Sequence, residues 1–392
     1  MKTKDVKSEF GVYDFGLSAE EEERAEQLHA ESIIIDMLYW GPCTYLSYTK
    51  EMKNELENLW NSPQRNPSKT IFGAHMQPIR LAIAGKFPEY KKCWDDSGVT
   101  GGNRYVELYP HDLFASLFGC YIAQFDNMPW MVKALRADDF RRAKVEGKHA
   151  GFITTQLTQP ISMDLLELVD SAYNLGLRML MLTYNYMTFV GSGCTERTDA
   201  GISNYGAQLI SRMNELGIIV DVSHCGRQTT LDACKLSKKC VVASHTSAEG
   251  VYKHARAKSD EEFRAIAETG GVIGVYTMAF ALGSGKGLTI ESTLDHLDYI
   301  ANLVGWEHVG IGTDWPMAMP KSTAQNVLTP MAAGMGFRPE DKWDSMTNLI
   351  GFDDYRDFPN ITRGLVKRGY SDEQIKGILG ENFLRVFKGV CG

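Results

Sequence analysis

Three metal-capable side chains stand just past three apolar runs of this sequence. One run ends Asp221-Val222-Ser223-His224, a second Ala243-Ser244-His245, and a third Gly312-Thr313-Asp314. Two imidazoles and a carboxylate are a common Zn²⁺ set that leaves a position for water. A lone histidine after a strand is usually a satisfied core or loop residue. Two at equivalent positions 21 residues apart, with an aspartate at a third, point to a metal site. That reading needs an architecture that brings three strand ends together.

The chain supplies one. Eight β-rich runs alternate with helical patterns: Ser32–Asp36, Val99–Val106, Gly151–Thr155, Met179–Thr183, Ile218–Val222, Cys240–Ser244, Gly271–Tyr276 and His308–Gly312. Most are near-continuous apolar runs, as expected of parallel strands buried on both faces. The intervening helices carry stop and start signals. Met163–Asn174 stops at Gly176, Tyr205–Leu216 at Gly217 and Ile290–Val304 at Gly305. Capping boxes at Ser259 and Ser371 open two further helices, expected to end near Gly270 and Gly380. The pattern predicts an α/β fold, a (β/α)₈ TIM-type barrel, whose strand ends converge at the catalytic face. An open nucleotide-binding sheet should carry a glycine-rich phosphate loop after its first strand. Here Met37-Leu38-Tyr39-Trp40 follows instead. Gly283-Ser284-Gly285-Lys286-Gly287 lacks the P-loop spacing and reads as a mobile loop.

Two connections are too long for turns, 41–98 after the first strand and 315–359 after the eighth. Both leave the catalytic face and adjoin in a closed ring, so they are expected to form a lid, with Tyr45, Tyr48, Trp60, Trp94, Trp315 and Trp343 as aromatic walls. The domain reading is an N-terminal extension over 1–30 and one barrel over 31–392, including the 41–98 insertion and a C-terminal loop-helix segment over 315–392.

Composition bounds the function classes. The 392 residues carry 41 basic and 49 acidic side chains, a net charge of −8, without the basic stripe that nucleic-acid binding requires. No apolar run reaches the ~18 residues of a membrane span. The start lacks an apolar segment with a cleavage site, and the eight cysteines form no C-x-x-C pair, so a cytoplasmic chain with reduced thiols is expected.

From about residue 30 onward the chain resembles the membrane (renal) dipeptidase family of metallopeptidases. The resemblance rests on Leu175-Gly176-Leu177-Arg178 through Leu182-Thr183, on Asn214-Glu215-Leu216-Gly217-Ile218-Ile219-Val220-Asp221-Val222-Ser223-His224, and on Ala243-Ser244-His245-Thr246. Gly270-Gly271-Val272-Ile273-Gly274-Val275, His308-Val309-Gly310-Ile311-Gly312-Thr313-Asp314 and Leu379-Gly380-Glu381-Asn382-Phe383-Leu384-Arg385-Val386-Phe387 follow in order. The resemblance implies a (β/α)₈ barrel, a homodimer and two zinc ions. One zinc would sit on a bridging glutamate and two histidines, the latter matching His224 and His245. The other would sit on a His-x-Asp after strand one and an aspartate matching Asp314. Arg256 falls where the family holds the substrate carboxylate.

This sequence departs from that pattern. Leu38-Tyr39-Trp40 replaces the His-x-Asp, Gln156 the bridging glutamate and Tyr184 a family histidine that contacts substrate. Leu38 and Trp40 cannot bind zinc, and Trp40 is expected to fill the vacated volume. Gln156 offers a neutral oxygen. Asp36 shares parity with Leu38 and Trp40, which predicts that it faces the lumen, either bonded in the core or as an acid near the site.

Three readings follow. The leading one is a dipeptidase-like hydrolase with one zinc per chain on His224 and His245, helped by Gln156 or Asp314. Asp314 would be general base, Tyr184 an oxyanion donor, and Arg256 the clamp for a small amide or specialised metabolite bearing a carboxylate. Tyr184, Trp40 and Asp36 would line its pocket. The second is a metal-free acid–base enzyme catalysing elimination, isomerisation or decarboxylation. The third is an inactive paralogue that binds a carboxylate ligand.

Overall fold

The structure is a computed structural model. It describes residues 9–39, 41–43, 47–61, 67–109, 111–157, 164–284, 287–315, 332–344 and 347–392. Trp40, Tyr45, Met163, Gly285, Lys286 and the part of the eighth connection over 316–331 lie outside the described residues, as does the Trp60 side chain.

Eight parallel strands close into a barrel. In chain order the strands are β1 (Ile35–Asp36), β2 (Gly101–Val106), β3 (Met131–Lys133), β4 (His149–Gln156), β5 (Leu177–Met181), β6 (Ile219–Asp221), β7 (Val241–Ala248), β8 (Ala257–Lys258), β9 (Ile273–Val275) and β10 (Val309–Ile311). The ring runs β1-β2-β4-β5-β6-β7-β9-β10 and returns to β1, with Asp36 paired to Ile311 on one side and Gly102 on the other. Each of the eight expected runs contains or overlaps one barrel strand. The short β3 and β8 were not expected; they pair with β4 and β7 outside the ring.

Alternate residues face opposite sides of each strand, and the packing shows which side. Ile35, Met37, Phe152, Met179, Ile219, Val242 and Val272 form one cluster with Phe383, Leu384 and Phe387 of the C-terminal helix. Their neighbours Ile34, Ile153, Leu180, Val220, Val241 and Ile273 belong to the larger cluster under the surrounding helices. The first set fills the lumen. By this alternation Thr154 and Gln156, Asp221 and Ser244 continue the lumen-facing rows toward the carboxyl ends, where the site must lie.

Close approach inside the ring demands glycine at two positions. A Cβ on Gly274 would lie 2.0 Å from the Ser244 carbonyl oxygen, and one on Gly312 1.8 Å from it. These contacts draw β9 and β10 against the middle of β7, beside His245.

The helices Leu165–Leu175, Asn204–Leu216 and Ile290–Val304 end at Gly176, Gly217 and Gly305 as the sequence indicates. Ser259 and Ser371 both form their capping boxes. The last helix does not stop at Gly380. It passes through a π-helical stretch, Gly377–Glu381, into Asn382–Cys391. Gly380 serves packing instead, since a Cβ there would lie 2.1 Å from the Ile33 carbonyl oxygen.

The 41–98 connection carries helices Lys50–Asn61, Pro67–Ile83 and Glu89–Ser97. Trp94 on the last of these is no pocket wall. It is fully buried, with its ring centroid 5.8 Å from that of Tyr39 and the Arg104 guanidinium 4.8 Å from its own. Among the described residues no helix is long and apolar enough to cross a membrane.

Gly312→Ala is expected to cost about 1–3 kcal/mol or more through overpacking against backbone, read as a lower urea midpoint. Gly119→Ala, at a helical glycine with open space around its Cα, should be neutral or raise stability by up to ~1 kcal/mol.

Candidate active site

Asp221 joins the end of β6 to the middle of β7. Its Oδ1 accepts from the Ser223 and Ser244 amides, both at 3.0 Å, and from the Ser223 hydroxyl at 2.6 Å. Its Oδ2 accepts the Ser244 hydroxyl at 2.5 Å. Burial raises this carboxyl above its ordinary range, and the hydrogen bonds from both serines oppose that rise. The same two hydroxyls hold His245. Ser223 Oγ accepts its amide at 3.1 Å, and Ser244 Oγ lies 2.8 Å from its Nδ1. Because the Ser244 hydrogen goes to Asp221, its oxygen accepts from the imidazole, which assigns the His245 proton to Nδ1.

His224 is fixed in the same sense from another loop. Its Nδ1 lies 2.7 Å from Asn185 Oδ1. The Asn185 Nδ2 donates to the Met335 carbonyl at 3.0 Å, which settles the amide's orientation and makes His224 Nδ1 a donor. Both Nε2 atoms are then left with lone pairs, and they face each other at 3.0 Å.

Two lone pairs at that distance repel unless a cation lies between them. A proton is disfavoured there. Burial pushes both histidines well below their ordinary range, and the Arg256 and Lys258 charges push further. A tetrahedral zinc with bonds of about 2.0–2.1 Å holds two nitrogens roughly 3.3 Å apart, close to the spacing here. The imidazole pair therefore fits a metal. Gln156, in register with Met181, which in turn pairs with Asp221, is almost fully buried. Its amide makes no hydrogen bond among the described residues. Among those residues, no three His, Cys, Asp or Glu side chains gather closely enough to hold a metal.

The Tyr184 ring stacks on His224, centroids 4.0 Å apart and planes 20° apart. Burial, and then the Asp314 charge, drives its phenol upward, so it remains a protonated donor at neutral pH. Arg256 is buried rather than on an exposed loop. Its Nη1 donates to the Ser223 carbonyl at 2.5 Å and its Nη2 to the His245 carbonyl at 3.2 Å, bracing both histidine segments. Asp314 is half-buried, adopts φ 50° and donates its amide to the Leu38 carbonyl at 2.8 Å.

Asp36 is bonded in the core, one of its two expected roles, but not on the lumen face. Ile35 and Met37 take the lumen, and Asp36 points the other way. Its oxygens accept from the Thr313 amide at 2.9 Å, the Thr313 hydroxyl at 2.5 Å, the Tyr355 hydroxyl at 3.1 Å and the Leu38 amide at 3.3 Å. Parity does not carry from Asp36 to Leu38, because the chain bends at Met37 and Leu38, directly after a two-residue strand. Asp36 thus ties β1 to the segment after β10.

The site also contains residues that the motifs do not mark. Asp221, Ser223 and Ser244 carried a signal, being polar positions at the ends of apolar strands. Asn185 carried none beyond following Tyr184. Phe337, from the eighth connection, also meets the site, edge-on to Tyr184 at 6.4 Å.

The membrane dipeptidase family model, peptidase family M19, matches residues 121–329 and 340–391, about two thirds of the chain. The chain belongs to this family and is a metal-dependent hydrolase by class. An amidohydrolase from Pseudomonas aeruginosa superposes with a TM-score of 0.71 at 25% identity, over 93% of this chain and 98% of its own. The probable dipeptidase PvdM of the same organism does so at 0.65 and 21%, over 95% and 99%. A metallopeptidase from Rhodobacter sphaeroides, solved with a phosphinate mimic of the dipeptide L-Ala-D-Ala, gives 0.62 and 19%, over 92% and 100%. The last two speak for the shared barrel.

Burial raises the Asp36 carboxyl from an ordinary 3.8 to about 7. The folded chain therefore holds a proton that the unfolded chain has released. The associated stability is present below about pH 4 and is lost as pH rises to about 7. Urea midpoints measured in chelator should show the wild type losing ground to Asp36→Asn between pH 4.5 and 8.

Proposed function

We propose that this chain hydrolyses a small amide bearing a free carboxylate, with one zinc per chain on the Nε2 atoms of His224 and His245. The converging lone pairs carry this reading. Gln156 Oε1 would be a weak third donor, with Asp314 as the alternative. A zinc there supplies Lewis acidity, polarising a carbonyl and making a water molecule acidic enough to ionise near neutral pH.

The protein's own groups do the rest. The Asp314 carboxylate takes a proton from the attacking water. The Tyr184 phenol, kept protonated by burial, donates to the carbonyl oxygen as negative charge grows there. Arg256 has five N–H donors, and two serve backbone carbonyls. The others take the substrate carboxylate, a charge-assisted pairing. With Leu38 just after β1, where the family resemblance implies a metal ligand, a two-metal clamp is not part of this mechanism.

A second reading, metal-free acid–base catalysis, is favoured by the lack of a third His, Cys, Asp or Glu beside the histidines among the described residues.

Metal analysis of protein purified without added zinc separates the two. About one zinc per chain, lost together with turnover in His245→Ala, is expected. Protein with no metal, whose turnover survives a chelator, would instead assign the acid–base reading.

A further inference from the structure

Asn185 makes two bonds that belong to different parts of the molecule. Its Oδ1 holds His224 Nδ1 at 2.7 Å, and its Nδ2 holds the Met335 carbonyl at 3.0 Å. Met335 lies in 332–337, a strap contributed by the connection after β10. The strap is seated on the 184–196 loop at several points. The single hydrogen of the Thr195 hydroxyl goes to the Gly336 carbonyl at 2.6 Å, with the Asn185 carbonyl 3.0 Å from the same oxygen. The Tyr186 hydroxyl donates to the Ala333 carbonyl. Gly336 has φ 89°, and a Cβ there would lie 2.8 Å from the Asn185 Cβ. Such proximity requires glycine. Phe337 then meets Tyr184, the ring stacked on His224.

A terminal amide can turn over, exchanging its oxygen and nitrogen. The Asn185 amide keeps its oxygen toward His224 because a carbonyl, an acceptor only, waits for its nitrogen. With the strap displaced that restraint is gone, and an amide nitrogen turned toward His224 would favour the opposite tautomer, with the proton on Nε2. The tautomer of a metal-facing imidazole is set by its other nitrogen's partner.

We propose that Asn185 is a positioning residue that couples seating of the 332–337 strap to the His224 tautomer able to present a lone pair between the two histidines. The proposal rests on the metal reading above for its consequence, and on hydrogen bonding alone for its mechanism. Coupling of this kind is reciprocal: a seated strap favours zinc, and zinc favours a seated strap.

The test uses the full chain with ¹⁵N-labelled histidine, stripped of metal, with His224 signals assigned through His224→Gln. The wild type should show His224 protonated at Nδ1. Asn185→Leu should shift it toward Nε2 protonation and weaken zinc binding about 10–100-fold, measured by competition with a chromogenic chelator. Asn185→Asp keeps the acceptor and loses the donor, so the Nδ1 proton should stay while amide exchange across 332–337 speeds up. Thr195→Val, which touches neither histidine, should weaken zinc several-fold. In the wild type, zinc should slow exchange across 332–337, and Asn185→Leu should abolish that difference.

An unchanged tautomer in Asn185→Leu would overturn the proposal. So would strap exchange that zinc leaves unaltered in the wild type, or that it slows equally in Asn185→Leu. If the wild type takes up no zinc at all, the metal reading and the zinc half of the coupling fail. The tautomers of metal-free wild type and Asn185→Leu then still decide whether Asn185 sets His224.

Discussion

The carboxylate of Asp221, taken out of water and given four hydrogen-bond donors, is the interaction on which the site depends. A buried carboxylate is costly unless its oxygens are satisfied. Here the donors come from β6's own continuation and from Ser244 within β7. Satisfying the charge therefore fixes the register of the two strands, and the serines that do it pass the constraint to His245. Gly274 and Gly312 let β9 and β10 close against the same Ser244 carbonyl. One buried charge thus sets the geometry of nearly half the barrel mouth.

The result is a frustrated pair. Every hydrogen-bond partner of the two imidazoles asks for protons on Nδ1, which leaves two lone pairs 3.0 Å apart. Folding energy from Asp221, Asn185 and the stacked Tyr184 holds the nitrogens in place. Arg256 and Lys258 make a proton an unfavourable solution to the repulsion. Such a locally unfavourable contact, enforced by a well-bonded surrounding, is where function is expected. Arg256 contributes twice, since its hydrogen bonds to the Ser223 and His245 carbonyls brace the backbone while its charge lowers the basicity of both rings.

The barrel was legible in the sequence because parallel strands buried on both faces leave apolar runs, and because glycines and capping boxes end and begin the helices. What escaped lacks a periodic signal. Strands β3 and β8 have three and two residues, too few to show alternation. Gly380 resembled a helix stop, yet its lack of a side chain answers to the Ile33 backbone instead. Asp36 is off the expected lumen face because parity holds only along an unbroken strand. His224, His245 and Arg256 were visible as residue types in specific motifs. Asn185 was invisible, because its importance comes from a carbonyl 150 residues away in sequence.

The quarter of the barrel around β1 is packed differently from the mouth at β6 and β7. Met37 reaches across the lumen, its Cε so placed that a Cβ on Gly274 would come within 2.5 Å of it and one on Gly310 within 3.0 Å. Leu38 is buried, and Tyr39 stacks on Tyr355 at 5.0 Å while its hydroxyl accepts from the buried Arg104 at 2.6 Å. Asp36, bonded to Tyr355 and Thr313, locks this layer to the segment after β10. Met37, Leu38 and Tyr39 are packed core. A histidine at position 38 would bury a polar ring where the neighbouring Asp36 already has its oxygens occupied and faces away from the lumen. Among the described residues the mouth is thus asymmetric, polar where Asp221, Ser223 and Ser244 meet and apolar at Met37 and Leu38.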